Sequence, residues 1–275
     1  MITLPALPLR MSGLVRRLPW VTLASIALNI HAAPWDDAGA GLFNEAHDAF
    51  VSEAKTARPA DQRGLRYGEA VSLLNIQPRT QSNIDKAYTL LEEVRTSSPD
   101  DELGLESRYL QGRIEQVQRS TPDLVKADAI FSELVHTHPT HPAGQRARVK
   151  LAIIRLYAKV DATERHRRYE EFTAGASELT DQGAKVQMHL LLAELARQLN
   201  YGNEQELAHM LAADQAGVTK RNLHVQVLVR IGDLARLTGR NDLARQYYTQ
   251  FLEQFPRTDR RSTVEGYLAA LNSSK

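Results

Sequence analysis

The sequence predicts an all-α chain of antiparallel helix hairpins stacked as a solenoid, and three observations carry that prediction. Between Leu228 and Pro256, Leu228, Ile231, Gly232, Ala235, Ala244, Tyr248 and Phe251 have the spacing of two helices joined by a tight turn. The same arrangement returns upstream, as a repeat array requires, because each hairpin leaves an apolar face for its neighbour to cover. No segment has strand character: the nearest, Ala147–Tyr157, is too long, and its pattern suits a buried helix.

Taken in order, the chain opens on a basic and then apolar segment. Arg16 and Arg17 precede the uncharged run Leu18–Ile30, followed by His31, Ala32 and Ala33. A basic start, a short apolar run and small residues describe a secretory signal peptide. The expected segment is 1–32, with the cut after Ala32 and Met11 as an alternative start. The rival reading is a retained membrane anchor. The uncharged stretch runs only from Leu18 to Trp35 and includes Pro19, Asn29 and His31, which is short of a comfortable span. The flanks of the paired arginines fit a twin-arginine signal poorly.

The remainder, 33–275, reads as a single helical domain without a Gly/Ser-rich or Pro-rich linker. Asp36–Lys55 carries Leu42, Phe43, Ala46, Ala49, Phe50 and Ala54 on one face and is expected to cap the first unit. Ala87, Leu91, Val94 and Pro99 mark a second helix and its stop, and Ala127, Phe131, Leu134 and Pro139 repeat them at the same internal spacing. Gly68 and Gly112 are the small contact residues expected for the first helices of these units. Segments 78–82 and 120–123 read as turns. Ala143–Tyr157 and Thr163–Leu179 form one further hairpin. Leu192, Leu195, Ala196, Leu199, Ala208 and Ala212 repeat the last unit in a register that aligns Leu192 with Leu228 and Ala208 with Ala244. Tyr201-Gly202-Asn203 is then the turn.

In the last unit, Gly232 is expected to face Ala244 and let the two helix axes approach closely. Gly239 suits a left-handed cap, Asn241 or Asp242 can cap the second helix, and Pro256 stops it. Thr258–Asn272, with Val264, Tyr267, Leu268 and Leu271, covers the end of the array.

These residues in this register resemble a tetratricopeptide repeat, closely over 189–222 and 225–258 and more loosely over the rest of 60–258. The resemblance implies a right-handed superhelical solenoid of about five hairpins with terminal capping helices. It also implies that the first helix of each unit lines a concave face on which a protein or peptide partner binds. Carried over by register, Glu194, Arg197, Arg230, Asp233 and Arg236 point inward, with Arg197 and Asp233 at equivalent places and able to pair with each other. The family's clamp for a peptide carboxyl terminus needs Lys and Asn where Ala193, Arg197, Val229 and Asp233 stand, which argues against a chaperone-tail receptor.

Composition narrows the chemistry. The net charge is +1, but setting aside Arg10, Arg16 and Arg17 leaves 31 basic against 33 acidic side chains, with no bulk pull toward nucleic acid or an anionic membrane. The absence of cysteine excludes disulfides, thiolate metal sites, a cysteine nucleophile and a lipidated cysteine, and fits a bacterial envelope protein held by helix packing. His136, His138 and His141 are close in sequence, yet Pro139 and Pro142 make them turn residues rather than a helical ligand pair. Arg165, Arg167 and Arg168 are flanked by Glu164, Glu170 and Glu171 and read as a paired surface. Arg257, Arg260 and Arg261, diluted by Asp259, form a second surface patch. Glu92-Glu93 and Asp100-Asp101-Glu102 read as helix-start or helix-surface acids.

No phosphate-binding loop, H-E-x-x-H or G-x-S-x-G motif is present. The sequence therefore predicts neither cofactor nor metal, and no membrane span once the signal segment is removed. The expected function is that of a non-enzymatic adaptor, exported to the periplasm of a Gram-negative bacterium, in a cell-envelope assembly. The alternatives are an oligomerisation scaffold whose copies meet along the concave face, and an enzyme acting on envelope polysaccharide. The last fits poorly with 6% aromatic residues, most of them at repeat core positions.

Overall fold

The structure, a computed structural model, describes residues 32–273. The expected signal segment lies outside them apart from Ala32. The described residues form an all-α helical-repeat solenoid of thirteen α-helices without strands: α1 Ala32–Ala40, α2 Phe43–Ala54, α3 Pro59–Asn75, α4 Gln81–Ser97, α5 Glu102–Arg113, α6 Leu124–Thr137, α7 Pro142–Leu156, α8 Ala162–Ala176, α9 Gln182–Gln198, α10 Asn203–Ala216, α11 Arg221–Leu237, α12 Asn241–Gln254 and α13 Arg261–Ser273. A π-helical turn, Ile114–Gln118, extends α5. None of these helices is long and apolar enough to cross a membrane.

The second helices stand as their spacing predicts. Ala87, Leu91 and Val94 on α4, and Ala127, Phe131 and Leu134 on α6, are all buried. Residues three and four apart share one helical face, so each triplet forms an apolar stripe along its own helix. Two helices work on both sides. α9 gives Met188, Leu192, Leu195 and Ala196 to the core that begins at Tyr67, and Val186 and Ala193 to the core that ends at Leu271. α3 likewise joins that first core to the amino-terminal cluster of Ala46, Phe50 and Leu65.

The small residues of the first helices make room for rings. A Cβ on Gly232 would lie 2.4 Å from the Tyr248 ring, one on Gly112 would lie 2.5 Å from Phe131, and one on Gly68 would lie 2.4 Å from Phe50. Gly232 thus accommodates Tyr248, one turn beyond the expected Ala244. Gly68 packs backward onto α2, which explains its wide spacing from α4. Two further glycines, which no sequence pattern marks, sit where a first helix starts beside the end of the preceding one. A Cβ on Gly104 would lie 2.2 Å from the Ser98 carbonyl oxygen, and one on Gly144 would lie 1.9 Å from that of His138.

Several local expectations are corrected. The expected cap Asp36–Lys55 is two helices, because Gly41 takes a left-handed φ of +86° and turns the chain between α1 and α2. Asn241 lies inside α12 rather than capping it; Arg240 holds the cap position and makes no side-chain capping bond. At the end of α11, Gly239 has φ +74° and its N–H donates to the Arg236 carbonyl, while the Arg240 N–H donates to the Ala235 carbonyl. Asn200, at φ +59°, closes α9 in the same way, with the Tyr201 N–H donating to the Ala196 carbonyl. These matched caps and the helix bounds align Asn200 with Gly239, and therefore Leu192 with Ile231. The register that aligns Leu192 with Leu228 is wrong. Leu207, Met210 and Ala213 are the buried apolar residues of α10, and Ala208 is exposed.

Candidate interaction surface

The corrected register changes which residues correspond. Glu194 on α9 now matches Asp233 on α11, and Arg197 matches Arg236. Both helices therefore end on an acid followed by an arginine three residues on, a spacing that brings the side chains together on a helix surface. In α9 the pair is closed on itself: Arg197 donates to Glu194 at 2.6 and 3.2 Å, and Gln198 donates to the same carboxylate at 2.6 Å. In α11 it is spread around a ring. The Tyr248 hydroxyl donates to Asp233 at 2.7 Å, and the Arg236 guanidinium stacks 4.8 Å from the Tyr267 ring. Burial, and then the neighbouring Asp233 carboxylate, push the Tyr248 hydroxyl up in pKa, which keeps it a donor. The expected pairing of Arg197 with Asp233 is not made, since these residues are not equivalent and each has its own partner.

Arg230 is committed to the fold. It forms a two-pronged ion pair with Glu206 of α10 at 2.7 Å on each prong. Glu206 is only 4% exposed, so the pair ties α11 to the preceding hairpin through a carboxylate held out of water. Removing one partner of such a pair leaves a buried charge alone. Arg230→Met is expected to lower stability by about 2 kcal/mol, reduced from the fully buried case because the arginine is partly solvated. The double variant Arg230→Met/Glu206→Met should recover most of that loss in urea denaturation.

Of the five expected inward residues, Arg197 and Glu194 are the more open pair, and exposed apolar side chains stand at the ends of α7 and α11. Tyr157, at the carboxy-terminal cap of α7, is 44% exposed and faces Glu194, Arg197 and Gln198. Leu237, the last residue of α11, is 56% exposed beside Arg236. Sequence spacing cannot find Leu237: it lies three residues after buried Leu234, on the core stripe, and only the end of the helix leaves it uncovered.

A second set of polar residues lies deeper, where α5, α7 and α9 meet side by side. Glu106 of α5 forms an ion pair with Arg146 of α7, whose guanidinium stacks 4.7 Å from the Tyr109 ring. Farther along the same helices, Arg113 donates to the Gln116 side-chain oxygen at 2.7 Å, Gln116 donates to the Lys150 carbonyl at 3.4 Å, and the Lys150 ammonium donates to Gln187 of α9 at 3.2 Å. Burial, and then the nearby Arg113 and Arg146, push Lys150 down to about 7. Burial pushes the Glu106 carboxyl up against the pull of Arg146. The sequence pattern assigns no role to any of these residues, because polar side chains on a first helix read as solvent-facing until the neighbouring first helix covers them.

The other titratable clusters are absorbed by the fold. His141 caps α7 by accepting from the Ala143 N–H at 3.2 Å and meets Glu102 at 2.9 Å, while His138 lies 3.4 Å from Asp100. Arg167 pairs with Glu164 and Glu171, and Arg168 with Glu164. Arg168 and Arg155 also line a cleft of about 250 Å³ with Asp128 and Phe172, but Arg155 is already held by Asp128 at 2.9 Å. His189 and His209 bring their Nδ1 atoms to 3.2 Å between α9 and α10. Burial pushes both down in pKa, His209 to about 4 with the help of its neighbour.

A tetratricopeptide-repeat family model matches residues 226–258, most of α11 and all of α12. No curated protein matches the chain. The match ties this hairpin to a family whose units are typically non-enzymatic scaffolds for protein–protein interaction, and the α11–α12 geometry agrees with it.

Proposed function

We propose that this chain is an exported, non-enzymatic adaptor that binds a protein or peptide segment within a bacterial cell-envelope assembly. The observation that carries the reading is the set of exposed side chains at the carboxy-terminal ends of α7, α9 and α11, which we take as one strip. There, exposed Tyr157 and Leu237 accompany Arg197, Gln198 and Arg236. Aromatic and arginine side chains dominate binding energy at protein interfaces, and this strip presents both beside an apolar residue. Glu194 holds Arg197, the Tyr267 ring lies against Arg236, and Arg230 ties α11 to α10 through Glu206. Export rests on the basic and apolar start of the chain.

Two measurements test the reading. Amino-terminal sequencing of protein from a periplasmic fraction should begin at Ala33; an uncleaved chain in the membrane fraction would overturn export with cleavage. Crosslinking capture from envelope extract should recover a partner with the wild-type chain and lose it with Arg197→Glu/Leu237→Ser, a pair chosen to leave the Arg230–Glu206 contact intact. Undiminished capture by a folded variant would overturn the strip. Self-capture, confirmed by light scattering, would replace the adaptor with an oligomerisation scaffold.

A further inference from the structure

Among the described residues, two buried cations in the middle of the array lack a counter-charge. Arg113 and Lys150 are 5% and 8% exposed, yet each finds only a neutral amide oxygen: Gln116 for Arg113 and Gln187 for Lys150. The Arg113 Nε makes no hydrogen bond at all. The third cation of the cluster, Arg146, is accounted for by Glu106. Buried charges in folded proteins are otherwise paired, because an unpaired one loses its hydration without compensation.

The local backbone is also unusual. The π-helical turn Ile114–Gln118 directly follows Arg113, and such turns concentrate at functional sites. Through it, Gln116 both holds the Arg113 guanidinium and reaches the Lys150 carbonyl, so the guanidinium is anchored to the α7 backbone at the residue that carries the second cation. The unpartnered Arg113 Nε is a buried polar donor in this cluster. Native structures keep such atoms few, and each calls for an explanation such as a bound water or ion.

We propose that Arg113 and Lys150 form a binding site for one oxyanion, phosphate or carboxylate, between α5, α7 and α9. The guanidinium supplies planar donors suited to an oxyanion, and the ammonium supplies a point charge. The site does not depend on the adaptor reading: it uses other residues, and a free anion would fill it as well as a peptide side chain would.

The test is a titration of the full chain at pH 6.5 with sodium phosphate, against sodium chloride matched for ionic strength. The wild-type melting temperature should rise saturably by about 3 °C in phosphate, as a ligand binding only the folded state requires, and not in chloride. Lys150→Met should abolish the rise, and Lys150→Arg should retain it. Isothermal titration of the wild type gives the same answer without any variant.

A parallel arm compares a Glu-containing peptide with its Gln-containing counterpart. A response to phosphate assigns a free-anion site. A response confined to the acidic peptide assigns a peptide carboxylate. No saturable response to either, or an equal response in a folded Lys150→Met variant, overturns the proposal.

Discussion

Gly144→Ala is expected to lower the stability of the chain by about 3 kcal/mol, although alanine is the better helix former by about 1 kcal/mol. The added methyl would lie 1.9 Å from the His138 carbonyl oxygen and 3.0 Å from that of Leu134. Both are backbone atoms, so no side chain can swing aside; α7 would have to move away from the end of α6. That movement would loosen Ala143 and Ala147, both fully buried in the core. Gly104→Ala should behave alike, since its methyl would meet the Ser98 and Pro99 carbonyl oxygens at 2.2 and 2.7 Å. Gly266 provides the control. It lies within α13, where an added methyl would have nothing within 4 Å, so Gly266→Ala should raise stability by about 1 kcal/mol. Urea midpoints with an unchanged slope would check all three. A neutral Gly144→Ala would show that α6 and α7 do not approach as closely as described.

Lys150→Met should have the opposite sign, and its size should depend on pH. Burial beside Arg113 and Arg146 holds the Lys150 pKa at about 7, against 10.5 for the free side chain. Between these values the unfolded chain binds the proton and the folded chain does not, so wild-type stability rises with pH across the interval. Below pH 7 the folded protein carries the charge, and its cost is fully present. Methionine fills a similar volume without the charge. The variant is therefore expected to be more stable by roughly 2–4 kcal/mol at pH 6 in chloride buffer, and by less than about 1 kcal/mol at pH 10. Denaturation of both proteins at the two pH values checks this; a constant difference would mean that Lys150 does not titrate in this range. A bound oxyanion adds a corollary: phosphate should narrow the gap at pH 6 by stabilising the wild type alone.

How much of the fold is legible in the sequence varies along the chain. The stripes Ala87-Leu91-Val94 and Ala127-Phe131-Leu134 are readable because a second helix has one buried face, and three- and four-residue spacing records one face well. First helices are harder. α5 is covered by α4 and α6, and also by α7 where Glu106 meets Arg146, so polar residues are buried on it and the stripe blurs. The link between the last two hairpins is ambiguous for a related reason. Leu192, Leu195 and Ala196 fit more than one register against α11. Only the matching left-handed caps at Asn200 and Gly239 select the one that sets Leu192 against Ile231 rather than Leu228.

The candidate site divides along the same line. Sequence alone determined that the chain is helical, where the second helices run, that α11–α12 is a tetratricopeptide-like hairpin, and that catalytic motifs are missing. These follow from neighbours in sequence: periodicity, glycine at turns and proline at stops. The tertiary structure alone decided what the polar residues of the first helices do. It gave Arg230 to Glu206, closed Arg197 onto Glu194, left Leu237 uncovered and placed Arg113 and Lys150 together without a counter-charge. Cross-helix partners such as Arg230 and Glu206, Arg146 and Glu106, or Lys150 and Gln187 come from different helices far apart in the chain, and stacking of one hairpin on the next sets their choice. Periodicity within a helix carries no record of that stacking.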